Sequence, residues 1–169
     1  MDRTGPINIK ALPDDPISTE VDRRFIRRTY DIAQSAVANG NHPFGALLVH
    51  KGKNIAEFEN AVVTTRDVTQ HAETGLVAVV TQQISREILS ESTLYTSTEC
   101  CIMCCGAVHW AGIPKLVYGV TASHARRVVG REYEGIPCKE VFQRINPSMT
   151  VVGPLMEEEG LKVHLLRIT

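Results

Sequence analysis

The sequence predicts an α/β domain in which one mixed β-sheet is covered by helices. Segments with the two-residue period of strands alternate along the chain with segments that carry the helical period. The length of 169 residues fits one domain, and the hydrophobic share of 43% is that of an ordinary globular protein. Folding of a chain of this length buries about 70% of its surface, so a core does not depend on disulfide bonds.

The first third of the chain predicts an arm, a helix and a hairpin. Residues 1–17 contain three prolines and no apolar period, which indicates an extended N-terminal arm before a single domain over 18–169. A helix is expected from a cap at Ser18 or Thr19 to about Asn39, where Gly40 ends it. The apolar run 44–50 and the segment 54–58, joined by a short turn, predict the hairpin.

The following segments continue the alternation of helices and strands. We expect a helix over 70–84, a strand over 93–97, a short helix over 102–111 and a strand over 115–120. The pattern weakens beyond Thr121. There we predict a helix over 139–144 and a strand over 149–152, while the tail up to Thr169 stays open between helix and strand.

Charge and hydropathy exclude several classes of partner. The chain has 18 Lys and Arg against 19 Asp and Glu, a net charge of -1. No overall positive field therefore attracts nucleic acid or anionic lipid. No apolar run has the length of a membrane span, and residues 1–17 lack the apolar core of a signal peptide. These features predict a cytoplasmic protein with a small neutral substrate, without a nucleic-acid or membrane partner.

The cysteines point to metal binding or catalysis. Four of the five lie within six positions, at residues 100, 101, 104 and 105, and the fifth is Cys138. An odd and clustered set does not form a disulfide framework. In a reducing compartment such clusters more often bind metals or take part in catalysis.

Two short motifs stand where helices are predicted to begin. They are His71-Ala72-Glu73 and Cys101-Ile102-Met103-Cys104. Cysteines three apart share one helix face, and the positive end of a helix favours thiolates. One imidazole and two thiolates leave a tetrahedral zinc ion one open position for water, as in catalytic sites. A carboxylate beside the ion can carry protons, which makes Glu73 the candidate catalytic residue.

The residues alone leave three alternatives open. The Cys-x-x-Cys pair could belong to a structural zinc site with Cys100 or Cys105 as a fourth ligand, or it could be a thioredoxin-like redox pair. His71 taken by itself is more often a capping or packed residue than a ligand. The combination of the two motifs with their spacing favours the catalytic zinc site.

Together the motifs resemble the cytidine deaminase superfamily, in particular its branch of guanine, cytosine and tRNA adenosine deaminases. The resemblance extends from Pro43 to Gly119. It is carried by Asn60 and by segments 43–46, 67–73, 94–99, 101–104 and 106–111. It implies a three-layer α/β/α fold with a central mixed five-stranded sheet. Two departures stand out, because Val68 and Cys100 occupy positions where the family has proline.

The resemblance implies roles for eight residues, each at a matching position. These are the zinc ligands His71, Cys101 and Cys104, the proton shuttle Glu73, the polar substrate contacts Asn60 and the backbone N–H of Ala72, and the apolar walls Phe44 and Trp110. It also implies that Glu73 moves protons from water to a ring nitrogen and to the exocyclic amine. Ammonia then leaves and a carbonyl replaces the amine.

The resemblance also bears on substrate and assembly. A tryptophan at position 110 is typical of guanine deaminases, so a guanine-type purine, as free base or nucleoside, is the favoured substrate. A tRNA wobble adenosine deaminase and a cytosine-type pyrimidine deaminase are the enzymatic alternatives. An inactive subunit or a structural zinc module is the alternative without catalysis. The family further implies a homodimer.

Overall fold

The computed structural model describes residues 10–132 and 135–166. The first nine residues of the predicted arm and the last three of the tail lie outside the described residues. The strands are β1 (Gly45–His50), β2 (Lys53–Glu59), β3 (Ser92–Thr98), β4 (Lys115–Val120) and β5 (Thr150–Val152). The helices are α1 (Glu20–Ala38), α2 (Val62–Thr65), α3 (Ala72–Gln83), α4 (Arg86–Ser90), α5 (Ile102–Ala111), α6 (Ala122–Val128), α7 (Cys138–Ile145) and α8 (Glu157–Leu165).

The strands form one mixed sheet of five strands in the order β2-β1-β3-β4-β5. Strand β1 pairs antiparallel with both β2 and β3, whereas β3, β4 and β5 run parallel to one another. The α/β prediction with a mixed five-stranded sheet is therefore confirmed. Helix α5 connects β3 to β4, as parallel neighbours require a crossover connection.

Two apolar cores lie on opposite faces of the sheet. Alternate residues of β1 show the division, because Ala46 and Leu48 pack in one core and Leu47 and Val49 in the other. The core on the Leu48 side includes residues of α3, α5 and α7, and the core on the Leu47 side includes residues of α1, α6 and α8. This arrangement is the three-layer α/β/α fold that was predicted.

Helix α1 follows from local signals in the sequence. Thr19 is its N-cap, and a capping box joins Thr19 and Asp22 through bonds of 3.1 Å and 2.9 Å. The helix ends at Ala38, and Gly40 takes a left-handed φ of 83°. A stripe of apolar residues faces the sheet, where Phe25, Ile26 and Ala33 are buried.

The tail and the described part of the arm pack together. The tail, left open by the sequence, forms helix α8. Residues 10–17 contain no helix or strand, and their backbone and side chains bond to the segment before and within α8. Leu12 N donates to the Glu157 carboxylate at 2.6 Å, and Met156 N donates to Asp14 at 2.7 Å. Among the described residues, none of the helices is both long and apolar enough to span a bilayer.

Candidate active site

Three predicted ligands meet where helices α3 and α5 begin. His71 is the N-cap of α3, Cys101 is the N-cap of α5, and Cys104 lies in the first turn of α5. The His71 Nδ1 atom is 3.7 Å from Cys101 Sγ and 3.6 Å from Cys104 Sγ, and the two sulfurs are 3.6 Å apart. His71 and Cys101 are half-buried, and Cys104 is buried.

These separations fit a single zinc ion. Zinc bonds of about 2.3 Å to sulfur and about 2.05 Å to nitrogen, at tetrahedral angles, place two sulfurs about 3.8 Å apart and a sulfur and a nitrogen about 3.6 Å apart. The triangle formed by His71, Cys101 and Cys104 matches these values within about 0.2 Å. The donor set of one imidazole and two sulfurs is also one that zinc prefers.

Neither neighbouring cysteine joins this triangle. Within the described residues, the group of His, Cys, Asp and Glu side chains close enough to share an ion consists of His71, Cys101 and Cys104 alone. Cys105 Sγ lies 3.7 Å from the carbonyl oxygen of Cys100, and Cys100 Sγ lies 3.7 Å from Glu73 Oε1. The geometry therefore favours three protein ligands over the four of a structural site.

The two cysteine ligands have pKa values shifted in opposite directions. The hydrogen bond between the Cys101 and Cys104 sulfurs, followed by the contact with His71, lowers the pKa of the Cys101 thiol to about 4 against the effect of burial. The same bond to Cys101 and burial raise the pKa of Cys104. Zinc binds cysteine as thiolate, so the ion competes with a proton for the sulfur whose pKa is raised.

Glu73 is buried beside the triangle, with 5% of its surface exposed. Its Oε2 atom is 3.4 Å from Cys104 Sγ, and its Oε1 atom accepts a hydrogen bond of 2.8 Å from the hydroxyl of Thr96. Burial raises the pKa of Glu73, while the bond from Thr96 acts in the opposite direction. A carboxyl group with a raised pKa is suited to accept and return a proton near neutral pH.

Backbone hydrogen bonds connect the segments that carry three of the predicted substrate contacts. Asn60 N donates to the carbonyl of Phe44 at 3.0 Å, and Ala61 N donates to the carbonyl of Gln70, which precedes the ligand His71, at 3.0 Å. Asn60 is buried with 1% exposed. Ala72 is the first residue of α3, where backbone N–H groups have no acceptor within the helix. These bonds connect the segment of Phe44 and Asn60 to the loop before His71, while the roles of Phe44, Asn60 and Ala72 as substrate contacts stay predictions.

Trp110 is not brought to the metal group. It lies nine residues after Cys101 along α5, about 13 Å away at the helical rise, and its side chain is 81% exposed. Its ring packs edge-on against His109, with centroids 5.4 Å apart. The role of Trp110 as a wall of the pocket stays a prediction. In a single chain, helix α5 places its ring on the surface.

Sequence reasoning missed three polar residues that support the site. Thr96 and Thr98 lie on the buried end of β3, and Thr98 Oγ1 is 2.9 Å from His164 Nε2 of helix α8. The ring of Phe44 packs against the His164 ring with centroids 5.4 Å apart. The available signal is the run Thr96-Ser97-Thr98, since three consecutive polar residues are unusual in a buried central strand.

The burial of His164 predicts a pH dependence of stability. Burial lowers the pKa of His164 from 6.5 to about 4. The folded chain thus resists protonation, so its stability is complete above pH 6.5 and declines as the pH falls towards 4. We expect this residue to lower the free energy of unfolding by about 2 kcal/mol between pH 7 and pH 5.

Urea unfolding at both pH values would measure this effect. The variant His164→Gln keeps a polar group beside Thr98 and removes the titration, so its loss of stability between pH 7 and pH 5 should be smaller by that amount. Equal losses in the variant and the wild type would contradict the prediction. Any effect of the metal ligands is common to both proteins and cancels in the comparison.

A His/Cys/Cys metal group with a buried carboxylate beside it, on a mixed sheet covered by helices, defines a zinc-dependent hydrolytic deaminase. The family described as "Cytidine and deoxycytidylate deaminase zinc-binding region" matches residues 19–120, more than half of the chain. The chain belongs to this family, and it is an aminohydrolase whose cofactor is zinc.

The relatives act on different bases. A probable cytosine deaminase of Schizosaccharomyces pombe is 33% identical over 150 residues, which cover 86% of this chain and 91% of that protein. A guanine deaminase of Bacillus subtilis is 40% identical over 95 residues, or 56% of this chain and 60% of that protein. A solved structure from work on tRNA:A34 deaminases, 27% identical, has a TM-score of 0.69 and covers 83% of this chain and 98% of its own. The family is thus clear, whereas the relatives divide over the substrate.

Proposed function

We propose that this chain deaminates a free nucleobase or nucleoside, with Glu73 as its catalytic residue and with His71, Cys101 and Cys104 as zinc ligands. The observation that carries the proposal is the buried Glu73 carboxylate beside a triangle of three ligand atoms. A structural site would have little use for an acid group in this position, because its charge is costly to bury.

In the proposed reaction, Glu73 performs the proton transfers. Glu73 takes a proton from the water whose oxygen bonds to the amine-bearing carbon, and gives it to the adjacent ring nitrogen. It then takes the second proton of that oxygen and gives it to the exocyclic amine. The C–N bond breaks, ammonia leaves, and the oxygen stays on the ring as the carbonyl. When bound, zinc supplies an electrostatic field that makes a coordinated water acidic near neutral pH. The burial of Glu73 keeps bulk water from competing for these protons.

The substrate contacts that the family resemblance implies favour a ring that carries a carbonyl. We assign the N–H of Ala72 to a carbonyl oxygen of the substrate and the side chain of Asn60 to a neighbouring ring position. Guanine and cytosine both combine an exocyclic amine with a carbonyl on the same ring, whereas adenine has no carbonyl. The site therefore favours an oxo-substituted base over adenosine.

Guanine remains our preferred substrate within this class. The sequence resembles those of guanine deaminases, and one guanine deaminase is 40% identical to this chain. Cytosine is the second candidate, because the similarity to a probable cytosine deaminase covers 86% of the chain. The exposed position of Trp110 removes one argument for guanine within a single chain. A site completed by a second copy would restore it.

The outer surface of α5 is suited to contact a second copy of the chain. Ile102 and Trp110 lie eight residues apart on one face of this helix and are 65% and 81% exposed. Between them on the same face, Gly106 leaves open space. We propose that these residues are covered in a homodimer, as the family resemblance implies.

One observation favours tRNA as an alternative substrate. Arg126 and Arg127 are exposed on α6, and the charge of Arg126 acts on His71, so this basic pair lies within electrostatic range of the site. Against this alternative, the first turn of α8 exposes the acidic residues Glu158 and Glu159, and the chain has a net charge of -1.

Ammonia release from a panel of amines tests the proposal. The panel consists of guanine, guanosine, cytosine, cytidine, adenine and triazine amines, each assayed with the zinc-loaded wild type. We expect turnover of guanine or cytosine, with adenine at background, because adenine lacks the carbonyl that Ala72 would bind. A blank panel at full zinc occupancy would contradict the proposed function.

Filter binding of tRNA at low salt distinguishes the small-base proposal from the tRNA alternative. The small-base proposal predicts weak binding, unchanged in the variant Arg126→Ala with Arg127→Ala. Tight binding that disappears with salt and with these two substitutions would favour tRNA, since phosphate contacts depend on salt.

A further inference from the structure

The two oxygens of the Glu73 carboxylate have different surroundings. Oε1 lies 2.8 Å from the Thr96 hydroxyl and 3.7 Å from the Cys100 sulfur. Oε2 faces the metal group, 3.4 Å from Cys104 Sγ. Thr96 and Cys100 are both fully buried, so water does not replace their contacts. The carboxylate therefore has one oxygen fixed by the protein and one directed at the reaction site.

The sheet holds the Thr96 hydroxyl in place. Thr96 lies on the central strand β3, where it pairs with Ala46 of β1 on one side and with Tyr118 of β4 on the other. Threonine is branched at Cβ, which restricts its side-chain rotation. The hydroxyl also lies 3.1 Å from the carbonyl oxygen of Thr98. Its position is thus set by the core of the protein rather than by a loop.

We propose that Thr96 is a positioning residue that holds Oε1 of Glu73, so that Oε2 is the oxygen that takes and returns protons. The inference rests on the proposed role of Glu73. While the hydroxyl donates to Oε1, a proton that arrives on Glu73 is directed to Oε2. The O–H bond of Thr96 is not broken at any step, because Oε2 receives each proton from water and passes it to the ring nitrogen or to the amine.

Loss of the hydroxyl would affect the rate more than substrate binding. Rotation about the last side-chain bond of glutamate is broad, so an unanchored carboxylate turns both oxygens away from the reacting atoms for part of the time. General acid–base catalysis contributes about 10²- to 10⁴-fold to a rate, and a carboxylate that points away from the reacting atoms loses part of this contribution. For Thr96→Val, which keeps the shape and removes the hydroxyl, we expect kcat to fall roughly 10- to 100-fold.

The test compares Thr96→Val, Thr96→Ser and Ser92→Ala with the wild type. Ser92 is a matched control on the same strand, because its buried hydroxyl bonds to the carbonyl of Ile88, away from the site. We expect Thr96→Val to lower kcat with KM within about twofold. Thr96→Ser restores the hydroxyl and should recover most of the rate. All variants should retain one zinc per chain by metal analysis, and Ser92→Ala should keep the rate of the wild type.

A second readout does not depend on activity. In crystal structures of the zinc-loaded proteins, the Glu73 carboxylate should have one orientation in the wild type and in Thr96→Ser. In Thr96→Val it should be rotated or occupy two orientations. If Thr96→Val fails to fold, the same comparisons are made with Thr96→Ala and Thr96→Cys.

Three results would overturn the inference. The first is a Thr96→Val variant with a normal kcat while Glu73→Gln is inactive, which leaves the proposed function intact. The second is a Thr96→Ser variant as slow as Thr96→Val, because the methyl group and not the hydroxyl would then matter. The third is a fully active Glu73→Gln variant, which would refute the role of Glu73 together with that of Thr96.

Discussion

Replacement of Glu73 by glutamine is expected to lower turnover by roughly two to four orders of magnitude while zinc stays bound. Glutamine has the shape of glutamate, and its amide oxygen can still accept the bond from the Thr96 hydroxyl. It cannot take a proton from water and pass it on. The ligand triangle does not include Glu73, so metal content should remain at one ion per chain.

The stability of Glu73→Gln gives an independent check. Burial raises the pKa of Glu73, which means that the folded protein disfavours its charged form. A neutral side chain of the same shape should therefore leave the free energy of unfolding at neutral pH equal to or above that of the wild type. Loss of activity with unchanged stability and zinc content would identify a chemical role rather than a structural one.

Glu157→Gln is the matched control for this experiment. Glu157 is also buried, with 1% exposed, and it accepts bonds from Thr121 and Leu12, neither of which belongs to the metal group. Its neutralisation should lower stability and leave kcat near the wild-type value. Near-normal turnover of zinc-loaded Glu73→Gln, or an equal loss in both variants, would remove Glu73 from the proposed role.

Much of the fold was predictable because its signals are local. The capping box of Thr19 and Asp22 begins helix α1, and a short turn joins β1 to β2. The helices α3 and α5 and the strands β3 and β4 were also placed within two residues of their bounds. In each of these segments a periodic pattern extends over six or more residues, which is long enough to identify the element.

The elements that were missed are short. Helices α2, α4 and α6 have four, five and seven residues, at most two turns each. A period of 3.6 residues is hardly visible over such lengths, and each of these helices depends on tertiary contacts. Helix α2 is an example, since Asn41 caps it from 22 and 23 residues earlier in the chain by accepting from Val63 N and Thr64 N at 3.1 Å and 3.0 Å.

The metal ligands could be predicted from the sequence, whereas the residues that support them could not. Cys101 and Cys104 are three residues apart, and their spacing on a helix predicts that they share an ion. Thr96 and His164 act over long distances in the chain, because Thr96 contacts a residue 23 positions away and His164 one 66 positions away. Only the folded sheet brings such pairs together. Trp110 is the opposite case. It matches the family motif in sequence, yet its side chain lies on the surface of the single chain.

Removal of a zinc ligand is expected to have the largest effect on metal content. Cys104→Ala deletes one of the three donors and leaves His71 and Cys101, which are too few to hold zinc firmly. We expect less than one tenth of the wild-type zinc after dialysis, and turnover at background. Chelation of the wild type should have the same effect on activity, with recovery when zinc is added back. Since zinc binds cysteine as thiolate, zinc affinity should weaken as the pH falls.

Cys105→Ala provides the matched control, because it removes the neighbouring buried thiol of the same helix. Cys105 Sγ contacts the Cys100 carbonyl rather than the ligand triangle, so zinc content and turnover should stay near wild-type values. Metal analysis of the two variants side by side also decides the number of protein ligands. If Cys105→Ala lost zinc as Cys104→Ala does, Cys105 would be a fourth donor. The ion would then have no open coordination position, and the site would be structural rather than catalytic.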